Sequence, residues 1–134
     1  MSDQLYIEEQ RNVAQFIRSL EEELEVLRKS QIAAGWGQRN AIYAHVNANY
    51  TLQEKVLNSK GKWEGITFQC NVLQGILKLL LPHRDIYGIY NISDMRREFE
   101  ELLKLAEKKE EYEIAELIHH NNDRFLYAVT TRST

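Results

Sequence analysis

The sequence predicts an all-α protein, a compact bundle of four to five helices around a central apolar helix at about residues 65–81. Three observations carry this prediction. The chain holds one proline, Pro82, in 134 residues. Apolar residues recur at three- and four-residue spacings over most of its length. Val72, Leu73, Ile76, Leu77, Leu79 and Leu80 cover most of one helix's circumference, which marks that helix as the central one.

Each element follows from the same pattern. In the first segment Val13, Phe16, Ile17, Leu20, Leu24 and Leu27 form one helical stripe. Ala33-Ala34-Gly35-Trp36-Gly37 reads as a break after it. A second helix is expected from Gln38 to Asn58, with a thin apolar face of Ile42, Val46, Tyr50 and Leu57, flanked by Tyr43 and Val56. Residues 58–62 read as a turn, and a third helix runs from near Trp63 to Leu81. Pro82 stops it, since a proline cannot donate the next helical hydrogen bond. Residues 82–92 form a tyrosine-rich connection. Asn91 or Ser93 can cap the fourth helix, whose stripe is Met95, Phe99, Leu102, Leu103 and Ala106. A weak break near residues 108–112 leads into a fifth helix, residues 113–129, unless the last two helices are one.

Length and composition narrow the function. The chain leaves room for one domain, residues 1–134, and its 43% apolar content supplies one core without a disulfide or metal staple. The single cysteine, Cys70, lies in an apolar stretch and is expected to be a buried core residue of a protein in a reducing compartment. The acidic beginning, Met-Ser-Asp-Gln-Leu-Tyr-Ile-Glu-Glu, lacks a positive segment with an apolar run, so no signal peptide is expected there. The stretch 66–81 is interrupted by Gln69, Asn71, Gln74 and Lys78 and falls short of the ~20 apolar residues of a membrane span. The expected location is the cytoplasm, a host's if the protein is virus-encoded.

Charge is unevenly spread. Net charge is −3, yet residues 1–27 carry −5, residues 28–62 carry +5 and residues 98–123 carry −6. The basic block holds Arg28, Lys29, Arg39, Lys55, Lys60 and Lys62 against Glu54 alone, among neutral amides such as Asn40, Asn47 and Gln53. Lysine and arginine neutralise phosphates, and amides donate to phosphate and sugar oxygens. Trp36, Tyr43, Tyr50 and Trp63 offer faces on which bases can stack. On a helix over 38–58, Arg39, Tyr43 and Tyr50 share one face, with Lys55, Lys60 and Lys62 at its far end. These six are the candidate nucleic-acid-binding residues. The bland alternative is that acidic and basic helices pair with each other, within one copy or between copies, at ~0–1 kcal/mol per exposed pair.

One short run looks catalytic. Arg39-Asn40-Ala41-Ile42-Tyr43-Ala44-His45 resembles the signature of HEPN-domain ribonucleases, which are helical bundles. The resemblance covers seven residues and implies a metal-independent ribonuclease. In it, His45 would move a proton and Arg39 would stabilise charge on the phosphate. Glu116 and His119 have the Glu-x-x-His spacing of a carboxylate metal site, but no second such pair exists, so no metal is expected. The run His119 to Arg124 reads as solvated surface. There is no glycine-rich phosphate loop and no nucleophile with a matched base, so no cofactor is expected.

The expected function is therefore a non-catalytic helical subunit that packs into a larger protein or nucleoprotein assembly. Its basic segment 28–62 would meet the backbone of single-stranded RNA or DNA. Its partner is another protein or a second copy, with no membrane and no small-molecule cofactor. In size and class the chain is similar to small helical subunits of RNA-guided effector complexes and to viral accessory proteins. The alternatives are the HEPN-like ribonuclease and a protein-binding regulator such as a phage-encoded inhibitor or immunity protein.

Overall fold

The computed structural model describes residues 2–130, with side chains from residue 4 onward. It holds four α-helices: α1 (Ser2–Asn47), α2 (Gln53–Leu80), α3 (Ile92–Lys108) and α4 (Tyr112–Thr130), with a single 3-10 turn at Leu81–His83. Arg84 and Tyr90 form an isolated antiparallel bridge, and no strand occurs among the described residues. No helix among them is long and apolar enough to cross a membrane.

Two expected breaks are absent. α1 runs unbroken through Ala33–Gly37, and α2 runs unbroken through residues 58–62. The reversal lies instead at Ala48–Leu52, inside the helix expected from Gln38 to Asn58. There Asn49 and Tyr50 take left-handed backbone angles, φ 57° and 64°. The Tyr50 amide reaches back to the His45 carbonyl at 2.8 Å, which caps the end of α1. The alanines and glycines of residues 33–37 are not helix breakers here. Gly35 faces α2, where an added Cβ would stand 3.5 Å from Nε1 of Trp63, while Ala33 and Gly37 are exposed.

The chain divides into two compact units, one of residues 1–22 with 72–134 and one of residues 23–71. The first holds nearly all of the buried apolar surface. Val13, Phe16, Ile17 and Leu20 of α1 are buried there with Leu73, Ile76, Leu77 and Leu80 of α2, Met95 and Phe99 of α3, and Ile118 and Phe125 of α4. Phe16, Phe99 and Phe125 meet as a tilted triad, with ring centroids 5.4–6.5 Å apart. Along residues 65–81 the buried side chains, Cys70 among them, fall on one stripe. Gln69, Asn71, Gln74 and Lys78 are exposed, so burial of this helix is one-sided rather than all round.

The tyrosine-rich connection is ordered by local hydrogen bonds. Asp85 Oδ1 accepts from the Tyr87 and Ile89 amides at 2.8 and 3.0 Å. Gly88, at φ 80°, takes the left-handed position this turn requires. The Gln10 side chain then pairs with Tyr90 as a strand would, donating to its carbonyl and accepting from its amide, both at 2.7 Å. Of the two expected caps, Asn91 is the one used, accepting from the Asp94 amide at 3.1 Å. The last two helices are separate. Glu110, at φ 58°, breaks the chain between them.

Two outcomes follow for stability. Gly61 and Gly65 lie inside α2, and a Cβ added at either meets nothing within 4 Å. Gly61→Ala and Gly65→Ala should each stabilise the protein by about 0.5–1 kcal/mol, read from the urea midpoint. A lower midpoint in both would mean that α2 is interrupted there. Tyr90 is buried, and burial chiefly holds its phenol above the ordinary 10.0; Glu21 adds to this, while the Arg84 cation opposes it. Above pH 10.0 the unfolded chain therefore loses this proton first, and stability falls as pH rises towards the folded value. Tyr90→Phe should remove that component, so unfolding free energy measured below and above pH 10.0 should decline less in the variant than in the native chain.

Candidate nucleic-acid interface

Residues 23–71 form a helical hairpin made from the second part of α1, the 48–52 turn and the first part of α2. Across its seam Gly35 stands against Trp63, and Gln31 Nε2 donates to Thr67 Oγ1 at 2.9 Å. Only Leu24, Ala41 and Cys70 are buried in this unit, and Cys70 is a core residue as expected. Beside the seam runs a groove of about 430 Å³. Ala33, Ala34, Gly37 and Ala41 line its α1 side, and Lys55 and Lys62 stand on its α2 side. Lys55 and Lys62 are seven residues apart, two helical turns, and so share that face.

Lys60 does not join them. It lies on a different side of α2, where Nζ is 3.8 Å from Glu64 across a solvent-exposed pair. Tyr50 also departs from the expected strip, because α1 ends at Asn47 and Tyr50 belongs to the turn. Its ring meets the His45 ring edge-on, with centroids 5.3 Å apart. The predicted single face of Arg39, Tyr43 and Tyr50 therefore reduces to Arg39 and Tyr43, and Trp36 completes it. The Arg39 guanidinium lies 5.4 Å from the Trp36 ring centroid and 5.8 Å from that of Tyr43. Trp36 and Tyr43 are more than half exposed. Trp63 is half-buried against Gly35. Of the residues that define the groove, Ala33, Ala34 and Gly37 fall within the expected break. Their signal as one face of α1 is their recurrence at helical spacing with Ala41.

Arg39 and His45 are not brought together. Six residues on one helix set two side chains about 120° apart. Arg39 turns to its two rings, while His45 turns to the chain reversal, where its Nδ1 accepts from the Leu52 amide at 2.9 Å. That bond leaves the ring proton on Nε2 and gives the imidazole a structural task. At the other candidate positions, His119 faces Glu107 at 3.5 Å. The polar run expected as solvated surface is partly buried. Asn121 donates to the Leu117 carbonyl at 2.9 Å and accepts from Arg124 at 3.1 Å.

No family model, curated protein or solved structure matches the chain at a significant level.

His45→Ala deletes the acceptor for the Leu52 amide. The expected cost is about 1 kcal/mol, with faster hydrogen exchange at the Leu52 amide. Unchanged protection there would show that His45 does not hold the turn.

Proposed function

We propose that the protein is a non-catalytic subunit of a larger assembly, and that its hairpin meets the nucleic-acid backbone there. The observation that carries the reading is a mismatch within residues 23–71. This unit buries three apolar side chains and exposes eight large ones, Val26, Ile32, Trp36, Ile42, Tyr43, Val46, Tyr50 and Leu57. A surface of that kind commonly marks an interaction site. The electrostatics give the chemistry of the partner. Between Val26 and Gln53 there is no carboxylate, and residues 28–62 carry +5. Lys55 and Lys62 along the groove and Arg39 on α1 supply the phosphate contacts, and the neighbouring amides supply donors to sugar and phosphate oxygens.

The test is binding of a labelled single-stranded RNA at two salt concentrations, with cleavage followed in EDTA. Binding should weaken as salt rises, without cleavage. Lys55→Glu with Lys62→Glu should weaken binding whatever the base sequence. It should also lower the slope of log affinity against log salt by about one unit for each phosphate no longer neutralised. Thermal stability should be unchanged, because both lysines are exposed. Salt-sensitive binding that survives the double charge reversal would remove the groove from the reading, and cleavage in EDTA would replace the reading with the ribonuclease one.

A further inference from the structure

We infer that Trp36 and Tyr43 stack unpaired bases, which makes a single strand the form of nucleic acid that the hairpin takes. Stacking here rests on the backbone contact proposed above and adds a second site of contact to it.

Ile32, Trp36, Arg39, Tyr43 and Val46 follow one another at spacings of four, three, four and three residues. At 100° per residue they form one stripe on the side of α1 opposite Ala34 and Ala41, which face α2. Trp36 is 58% exposed and Tyr43 56%. They stand seven residues apart, about 10 Å along the helix, with the Arg39 guanidinium over both rings. An arginine held this way keeps its planar group ordered while its N–H edge remains available to an anion. More than half of each residue remains open to solvent, where a second flat group can reach it. Asn40 lies on the α1 surface between this ladder and the groove, as its position on the helical wheel places it.

An exposed stripe at four-three spacing also suits a partner helix, and a second copy is the first such partner to consider. Charge decides against it. Arg39 stands in the middle of the stripe, and no carboxylate occurs between Val26 and Gln53 to meet it. A symmetric seam centred there would bury Arg39 near its own mate, two desolvated cations with no anion between them. A single strand supplies what this surface lacks: a phosphate for Arg39, and flat bases for the two rings. A duplex supplies only the phosphates, because its bases are already stacked on one another.

The experiment uses the two-tryptophan chain with Trp63→Phe, so that Trp36 alone reports. A short mixed-sequence RNA strand and the duplex formed from it are titrated separately. The strand should quench Trp36 emission and the duplex should not. With Trp63 restored, Trp36→Ala with Tyr43→Ala should weaken binding of the labelled strand by at least about tenfold at an unchanged salt slope. Trp36→Phe with Tyr43→Phe should recover most of that affinity, since phenyl rings still stack. Helicity should be equal in all variants. Salt-sensitive strand binding with unmoved emission, and with full affinity in the double alanine variant, would overturn the stacking and leave the backbone contact standing. Absence of salt-sensitive binding to either form would overturn both. Trp36 emission that shifts with protein concentration, alongside a dimer mass in light scattering, would assign the ladder to a second copy and overturn the inference.

Discussion

The contact of Phe16, Phe99 and Phe125 is the constraint on which the unit of residues 1–22 and 72–134 depends. Each ring comes from a different helix, α1, α3 and α4, and each is almost wholly removed from water. Aromatic side chains carry the largest apolar area in a core, and the tilted packing of these three gives each ring few alternative positions. The polar devices of this unit then follow from it. With α1 fixed against α3, Gln10 is placed to act as a backbone partner for Tyr90. His83 is held over α3, where Nε2 is 3.1 Å from Glu98. These bonds order a loop that has little apolar area of its own.

The hairpin is built on the opposite principle. On its α1 surface towards α2, Ala41 is buried, Gly35 stands against Trp63 and Gln31 bonds Thr67. Its large side chains, Ile32, Trp36 and Tyr43 among them, point away from the seam into solvent. Its reversal is held by hydrogen bonds, from the Leu52 amide to His45 and from the Thr51 hydroxyl to the Ala48 carbonyl. Such a unit leaves its largest apolar and aromatic groups outside its own core, and they remain available for a partner.

The helical class is legible in the sequence because burial in the first unit is periodic. Val13 to Leu20, Leu73 to Leu80 and the stripe of α3 each repeat at three or four residues, and each is where the core lies. The hairpin is harder to read for physical reasons. Small residues at 33–37 have the same composition whether they break a helix or continue it, and here α1 runs through them with Gly35 against Trp63. The real turn at residues 48–52 contains no glycine or proline, and its left-handed positions are taken by asparagine and tyrosine. Moving the turn also moves the candidate site. Arg39 and Tyr43 share a face as the spacing predicts, but Tyr50 lies beyond the helix and Lys60 falls on another side of α2 from Lys55 and Lys62.

The charge distribution bears on how such a surface would be used. The whole chain carries −3, so at distance it offers a polyanion no attraction. The +5 of residues 28–62 acts only within about a Debye length, ~10 Å at 0.1 M salt. A free protein of this kind gains little from long-range electrostatic steering. The local field is felt only by an anion already within that distance. Local basicity inside an acidic chain therefore confines any attraction for an anion to residues 28–62, beside the exposed rings that the fold leaves unburied.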